Sequence, residues 1–306
     1  MKKTIKDYNL KNKRVIIRCD LNVPMKDGVI QDDTRIRESM ETILYAVKKK
    51  AKVIILSHLG RIKEESDKKD KSLKVVAKRL SELLELPVKF IPFTRGKEVE
   101  ETVNEMDPKD IIMLENTRFE DLNNESESKN SSELAKYWAS LGDIYINDAF
   151  GTCHRSHASN VGIASILPSG LGFLVQKEVL EINSALNNPK RPLVIILGGL
   201  KVKDKIGVIE NAVKIADYIL IGGGMSYTFF KALGYNIGLS VVDDEAIDFC
   251  KKIYEKNKDK IKLPSDIIVG NSLSEETDSR LTTPDKIGSN EMGLDIGTKT
   301  ISNYKL

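Results

Sequence analysis

Short β-branched runs alternate with amphipathic stretches along almost the whole chain, and this alternation restricts the fold more than any other feature. Residues 14–19 (RVIIRC), 52–57 (KVIILS), 110–114 (DIIML) and 143–146 (DIYI) are brief, apolar and flanked by turn or charged residues. Such runs read as buried strands. Between them lie helical patterns. Residues 38–50 carry Met40, Ile43, Leu44 and Val47 on one face, residues 73–86 carry Val76, Leu80, Leu83 and Leu84, and residues 131–141 carry Leu134, Trp138 and Leu141. Strands that alternate with helices build βαβ units and a parallel sheet.

The rhythm then restarts. Residues 193–197, 218–221 and 266–269 read as strands, and residues 205–216, 226–233 and 245–257 as helices. The stretch 172–188 (GFLVQKEVLEINSALNN) reads as a connecting helix closed by Pro189-side turn residues, since Asn187, Asn188 and Pro192 flank its end. The expectation is an α/β chain of two Rossmann-like domains with parallel sheets, 1–171 and 189–306, joined by the helix 172–188. With 306 residues of which 41% are hydrophobic, the chain has enough apolar material for two cores. The segments 63–74 and 121–133 are nearly devoid of apolar periodicity and read as solvated loops.

Charged residues make up 30% of the chain and leave a net charge of +3, so no nucleic-acid partner is expected and any electrostatic function must be local. The three cysteines, Cys19, Cys153 and Cys250, are odd in number and far apart, which suits a reducing compartment and a cytoplasmic location. No apolar stretch is long enough for a signal peptide or a membrane span. The sequons at Asn124 and Asn130 carry no meaning without secretion.

The first half repeats one pattern at its strand ends. The first strand runs into Asp20 and Asn22, the second into His58 and Arg61, the third into Glu115, Asn116 and Arg118, and the fourth into Asn147, Asp148, His154 and Arg155. Arg35 and Arg37 sit in the polar segment before the first helix. In an open parallel sheet, ligands bind beyond the carboxyl ends of the strands. Arginine forks match phosphate and carboxylate, and Asp20 with Asn22 suit a hydroxyl. One arginine at a loop end reads as surface ion pairing, but several at equivalent strand ends point to a small polyanion carrying an alcohol.

The second half offers glycine-rich turns instead. Gly198 and Gly199 precede Lys201 and Lys205 at the entry to a helix, and Gly222, Gly223 and Gly224 link a strand to the next helix. Glycines let the backbone approach phosphate, and a helix start favours negative charge. No Walker A pattern occurs. The CHRSH cluster (Cys153, His154, His157) reads as neither a zinc site nor a nucleophile, since no second ligand cluster exists. Cys250, at helical spacing with Ile247 and Tyr254, reads as core.

RVIIRCDLNVP, DDTRIR, SHLGR, LENTRF, NDAFGTCHRSHAS, GGLKVKDKIGVIEN, IGGGMSYTF and MGLDIGTKT together resemble the phosphoglycerate kinases, in the family's order and from end to end of the chain. The resemblance implies that Asp20, Asn22, Arg35, His58, Arg61, Arg118 and Arg155 bind 3-phosphoglycerate. It implies that Lys201 acts on the phosphoryl group in transfer, that Lys205 contacts nucleotide phosphate, and that Gly222, Gly223 and Gly293 lie near the adenine. It further implies ATP/ADP with Mg²⁺, a hinge-closing enzyme, and a monomer. Cys19, Leu21, Leu200 and Ile62 depart from the family's usual residues. The family continues with a Trp-Asn-Gly-Pro strand and a GGGDS turn that supplies the metal-binding Asp. Neither segment occurs before Leu306, so the second domain is expected to be incomplete and the metal ligand to fall outside it.

The implied reaction joins a phosphoryl group to a carboxylate. A carboxylate of pKa about 4 is already ionised at neutral pH and needs no general base. Arg35 and Lys201 are therefore the expected catalytic pair, acting by position and charge. Two other readings stand beside this one. A chain without the GGGDS turn could bind 3-phosphoglycerate or nucleotide and transfer nothing. A dinucleotide dehydrogenase is disfavoured because GGGM is not the GxGxxG fingerprint.

Overall fold

In a computed structural model that describes residues 2–274 and 277–305, the chain divides into two units, Met1–Ile182 and Asn183–Leu306. The first begins with β1 (Arg14–Cys19), a hairpin of β2 (Met25–Lys26) and β3 (Val29–Ile30), α1 (Thr34–Lys48) and β4 (Lys52–Leu56). Then come the one-turn α2 (Asp67–Asp70), α3 (Lys74–Leu84), β5 (Lys89–Ile91), α4 (Lys97–Asn104) and β6 (Ile111–Leu114). α5 (Ser132–Ser140), β7 (Ile144–Asp148), β8 (Ser169–Leu171) and α6 (Phe173–Asn187) follow, and the division between units falls inside α6.

Six strands form one sheet in the order β5-β6-β4-β1-β7-β8, with each neighbouring pair parallel. The central strands show why their sequences are apolar throughout. Val15 and Ile17 of β1 face a core built with Ile43, Val47, Val76 and Leu80 from α1 and α3. Ile16 between them faces a second core with Val99, Leu134 and Trp138 from α4 and α5. A strand covered on both faces has no position left for a polar residue except where its charge is paired. Arg18 of β1, at 1% exposed, is buried there with its nitrogens bonded to the Ser159 hydroxyl, the Cys19 carbonyl and His58 Nδ1.

The second unit contains β9 (Val194–Leu197), α7 (Ile206–Ile215), β10 (Tyr218–Ile221), α8 (Met225–Ala232), α9 (Ile247–Lys256) and β11 (Ile261–Lys262). It continues with β12 (Ile267–Gly270), β13 (Ser279–Thr282), β14 (Met292–Ile296) and α10 (Thr298–Tyr304). Strands β11-β10-β9 form a parallel sheet, whose core includes Ile219, Ile221, Phe229 and Cys250. Strands β13-β12-β14 form a separate antiparallel sheet. The run at 266–269, expected as a further parallel strand, is the centre of that second sheet. Its three apolar residues, Ile267, Ile268 and Val269, record burial but not strand direction, and its partners β13 and β14 have mixed runs that do not announce themselves.

Two other expectations change. Arg35 and Arg37 belong to the first turn of α1 instead of a segment before it. The segment 121–133 is not a solvated loop throughout: Glu127 is fully buried and Asp121 nearly so. No helix among the described residues is long and apolar enough to cross a membrane.

Candidate functional site

Parallel pairing puts the carboxyl ends of β1, β4, β6 and β7 on one edge of the first sheet, and the polar residues that follow them gather there. Asp20, just past β1, accepts a hydrogen bond from Nη1 of Arg35 at 2.6 Å through Oδ2. Gly151, past β7, packs on the same carboxylate: a Cβ there would lie 2.5 Å from Oδ2. Asn22 Oδ1 accepts from the Gly60 amide at 2.7 Å, which ties the end of β1 to the turn after β4. Asn116, buried past β6, holds that turn from the other side by donating to the Leu59 carbonyl at 2.7 Å and accepting from its amide at 3.2 Å.

Charge concentrates around His58. Its Nδ1 lies 3.2 Å from Nη2 of Arg18. Burial, then Arg18, Arg118, His157 and Arg35, push the imidazole down to about 2. Burial with Arg118, Arg18 and Arg155 pushes His157 down to about 4. Arg18 and Arg118 act on both rings, Arg35 on His58 and Arg155 on His157, so the four arginines gather around the two imidazoles. Arg118 is held by Asp121 Oδ2 at 2.8 Å and by the Ser128 hydroxyl. Arg61 stands on the loop of His58, exposed, and no hydrogen bond or ion pair among the described residues engages its guanidinium. Four guanidinium groups, two imidazoles and the exposed Arg61 concentrate positive charge at this edge of the sheet, an arrangement that suits a compact polyanion. Asp148 stays out of it. Its buried Oδ1 accepts from the amides of Leu174 and Val175, at 2.9 and 3.3 Å, and caps the start of α6.

In the second unit the two glycine turns pack on each other. The Gly222 amide donates to the Leu197 carbonyl at 2.9 Å, and the Met225 amide to the Gly199 carbonyl at 2.8 Å. Gly223 has φ 61° and its missing Cβ would lie 3.3 Å from the Gly199 nitrogen, so a side chain there would strain the backbone and crowd the neighbouring turn. The Lys205 amine folds back toward Gly199, 3.8 Å from the place of its Cβ. Lys201 is exposed beyond the turn, and Leu200 is exposed beside it. Gly293 lies in β14, where the Tyr227 hydroxyl of α8 occupies the space of a Cβ. Gly222, Gly223 and Gly293 thus border the same helix.

A family model described as Phosphoglycerate kinase matches residues 5–306. The chain belongs to the phosphoglycerate kinase family. The phosphoglycerate kinase of Enterococcus faecalis is 56% identical over 304 residues, covering 99% of this chain and 77% of the relative. That of Fusobacterium nucleatum is 54% identical over 307 residues, covering 99% and 77%. Among solved structures, phosphoglycerate kinase from Coxiella burnetii superposes with a TM-score of 0.81 at 40% identity, covering 99% of this chain and 76% of that one. The enzyme from Pyrococcus horikoshii superposes at 0.84 with 31% identity, covering 98% and 76%. The chain is a phosphoglycerate kinase in family and α/β fold, and hence a phosphotransferase.

Among the described residues no group of three or more His, Cys, Asp and Glu is placed to hold a metal ion. Three crevice residues escape a reading based on strand ends. Arg18 sits inside its strand, one residue before the polar terminus. Glu127 lies in a segment of polar composition, and Ser159 in the turn after the CHRSH cluster. Only Arg18 carried a visible signal, a charge within an otherwise apolar run.

Proposed function

We propose that the chain transfers a phosphoryl group reversibly between ATP/ADP and 3-phosphoglycerate/1,3-bisphosphoglycerate. Its domain 1–171 takes the acid, its domain 189–306 the nucleotide, and residues 172–188 the hinge. The observation that carries this reading is the gathering of Arg18, Arg35, Arg118 and Arg155 about His58 and Asp20. Phosphate and carboxylate would be held by the arginines, and the substrate alcohol by Asp20 and Asn22. Arg61 is the exposed cation left to close on the ligand. Lys205 and the backbone of Gly222 and Gly223 would hold the nucleotide, with Gly293 and Tyr227 behind its base.

Because the acceptor is already an anion, the cations do the chemistry by neutralising charge on the group in flight. Arg35 and Lys201 are assigned this role, one from each domain, which requires the two sites to be brought together during turnover. Magnesium would arrive on the nucleotide phosphates, and the working unit is a monomer in the cytoplasm.

The test is a coupled assay of 1,3-bisphosphoglycerate formation from ATP and 3-phosphoglycerate. Arg35→Ala and Lys201→Ala should each lose turnover about a hundredfold or more, corresponding to about 3 kcal/mol of transition-state contact. Arg61→Ala and Arg118→Ala should mainly weaken 3-phosphoglycerate affinity. Near-normal turnover in both of the first pair rejects the assignment. Binding of 3-phosphoglycerate with no turnover by the parent chain selects a non-catalytic binder instead.

A further inference from the structure

Behind the crevice lies a buried polar chain that runs from Glu127 through Ser159 and Arg18 to His58, and Arg18 fixes its direction at the His58 end. Arg18 is a donor at every nitrogen. Its Nε therefore donates to Ser159 Oγ at 2.9 Å, and its Nη2 to His58 Nδ1 at 3.2 Å. Ser159 Oγ, having accepted from Arg18, sends its own hydrogen to Glu127 Oε1 at 2.5 Å. Glu127 Oε2 accepts from the Ser159 amide at 2.8 Å. Glu127 and Ser159 are fully buried, and the Tyr145 hydroxyl fixes the Ser159 carbonyl at 2.9 Å. The Glu127 carbonyl also accepts from the Ala158 amide at 2.9 Å, which fastens the loop that carries Arg155 and His157.

At the far end of this chain the imidazole of His58 has no choice. With Nδ1 accepting from Arg18, its ring proton must be on Nε2. We propose that Glu127 is a positioning residue for the crevice, acting through Ser159 and Arg18 to hold His58 in the Nε2–H tautomer as a neutral donor. Glu127 touches no ligand in this scheme. It supplies the buried acceptor for Ser159 and, facing Arg18, the carboxylate that keeps that guanidinium against His58, whose tautomer Arg18 then fixes. A donor held in one tautomer meets an incoming carboxylate or phosphate oxygen without rearrangement. The identity of the ligand rests on the function proposed above, whereas the tautomer does not.

The chain has three histidines, so long-range proton–nitrogen NMR of the imidazoles assigns His58 by comparison with His58→Gln. The parent protein should show His58 protonated at Nε2 alone. Glu127→Gln removes the carboxylate charge and places an amide NH₂ or a misdirected oxygen against Ser159, so Arg18 should no longer be held against His58, which should then show mixed tautomers. Calorimetric affinity for 3-phosphoglycerate should fall about tenfold, the size of losing one hydrogen bond to an ionised group. In a His58→Gln background the same substitution should cost almost nothing further. Ser159→Ala breaks the chain at its middle and should reproduce each effect, so it carries the test if Glu127→Gln does not fold. A parent His58 protonated at Nδ1, or an unchanged tautomer in a folded Glu127→Gln or Ser159→Ala variant, overturns the proposal. Additive losses in the double variant overturn it as well. If the parent protein binds no 3-phosphoglycerate while the tautomer follows Glu127, the substrate assignment fails and the positioning role stands.

Discussion

Asp148 shows how much a single carboxylate can set. Burial raises it from 3.8 to about 6, only partly offset by Thr42 and the amides of Val175 and Leu174. Its Oδ2 has no partner. Since the folded protein holds this proton more tightly than the unfolded chain does, the group favours folding most below pH 3.8. That contribution is lost as pH rises to about 6 and stays lost above it. The difference corresponds to about 3 kcal/mol at neutral pH. Asp148→Asn keeps the Oδ1 acceptor and cannot ionise. Urea midpoints should coincide for variant and parent at pH 4, and the variant should gain up to that amount by pH 7. Comparing the two proteins at each pH cancels His58, whose lowered value acts in the opposite sense, removing stability as pH falls below 6.5. A gap that is constant with pH would show that Asp148 is ionised through the whole range. Residues of this kind are where the sequence is least legible. Asp20, Asn22, Arg35, His58, Arg118 and Arg155 stand at strand ends, or one turn into a helix, and could be picked out by position. Glu127 could not, because a buried acid among Asn, Ser and Glu neighbours looks like any solvated acid until its partners are in place.

At the scale of elements, the strands that could be read are those covered on both faces. β1, β4, β6 and β7 sit inside two cores, so their composition alone marks them. β5, β8 and β13 lie at sheet edges and are short, and half-exposed edges carry no such mark. β12 was recognisable as a strand but not as antiparallel, because direction is decided by partners whose own runs are mixed. The helices read from an apolar stripe are legible to within a few residues, but α4 and α10 are not among them, although Val99 and Val103 of α4 are buried. The start of α6 is the exception in mechanism, since its cap comes from Asp148 in β7. A Cβ on Gly172 would overlap that carboxylate. Gly172→Ala should therefore displace the cap, orphan two amides and cost about 2 kcal/mol or more, read as a lower urea midpoint at unchanged slope. Gly207 in the first turn of α7 is the contrasting case. Nothing lies within 4 Å of its Cβ position. Gly207→Ala should stabilise by about 0.5–1 kcal/mol through helix propensity alone. Equal effects at the two glycines would mean that packing at α6 does not control its cap.

The whole molecule is two units in one chain, each with its own cores, and its single tryptophan makes them separately observable. Trp138 is fully buried in the first unit, with Nε1 donating to the Thr94 carbonyl at 2.8 Å. Phe229 is fully buried in the core of the second unit with Ile219, Ile221 and Cys250. Each core draws its buried residues from its own unit. Tryptophan fluorescence on heating should therefore report the first unit, while far-ultraviolet dichroism reports both. A ligand bound to one folded unit stabilises that unit by mass action, about 2.7 kcal/mol at a hundredfold excess over Kd. With 3-phosphoglycerate in that excess, the fluorescence midpoint should rise by several degrees. Phe229→Ala should cost the second unit about 3–5 kcal/mol and lower only the part of the dichroism transition that fluorescence does not follow. If Phe229→Ala lowers the fluorescence midpoint equally, the two units unfold as one cooperative block, and closure between two independently folded units is the wrong description of this kinase. If the midpoints separate, the ligand-induced rise in the fluorescence transition places the 3-phosphoglycerate site in the first unit without any appeal to turnover.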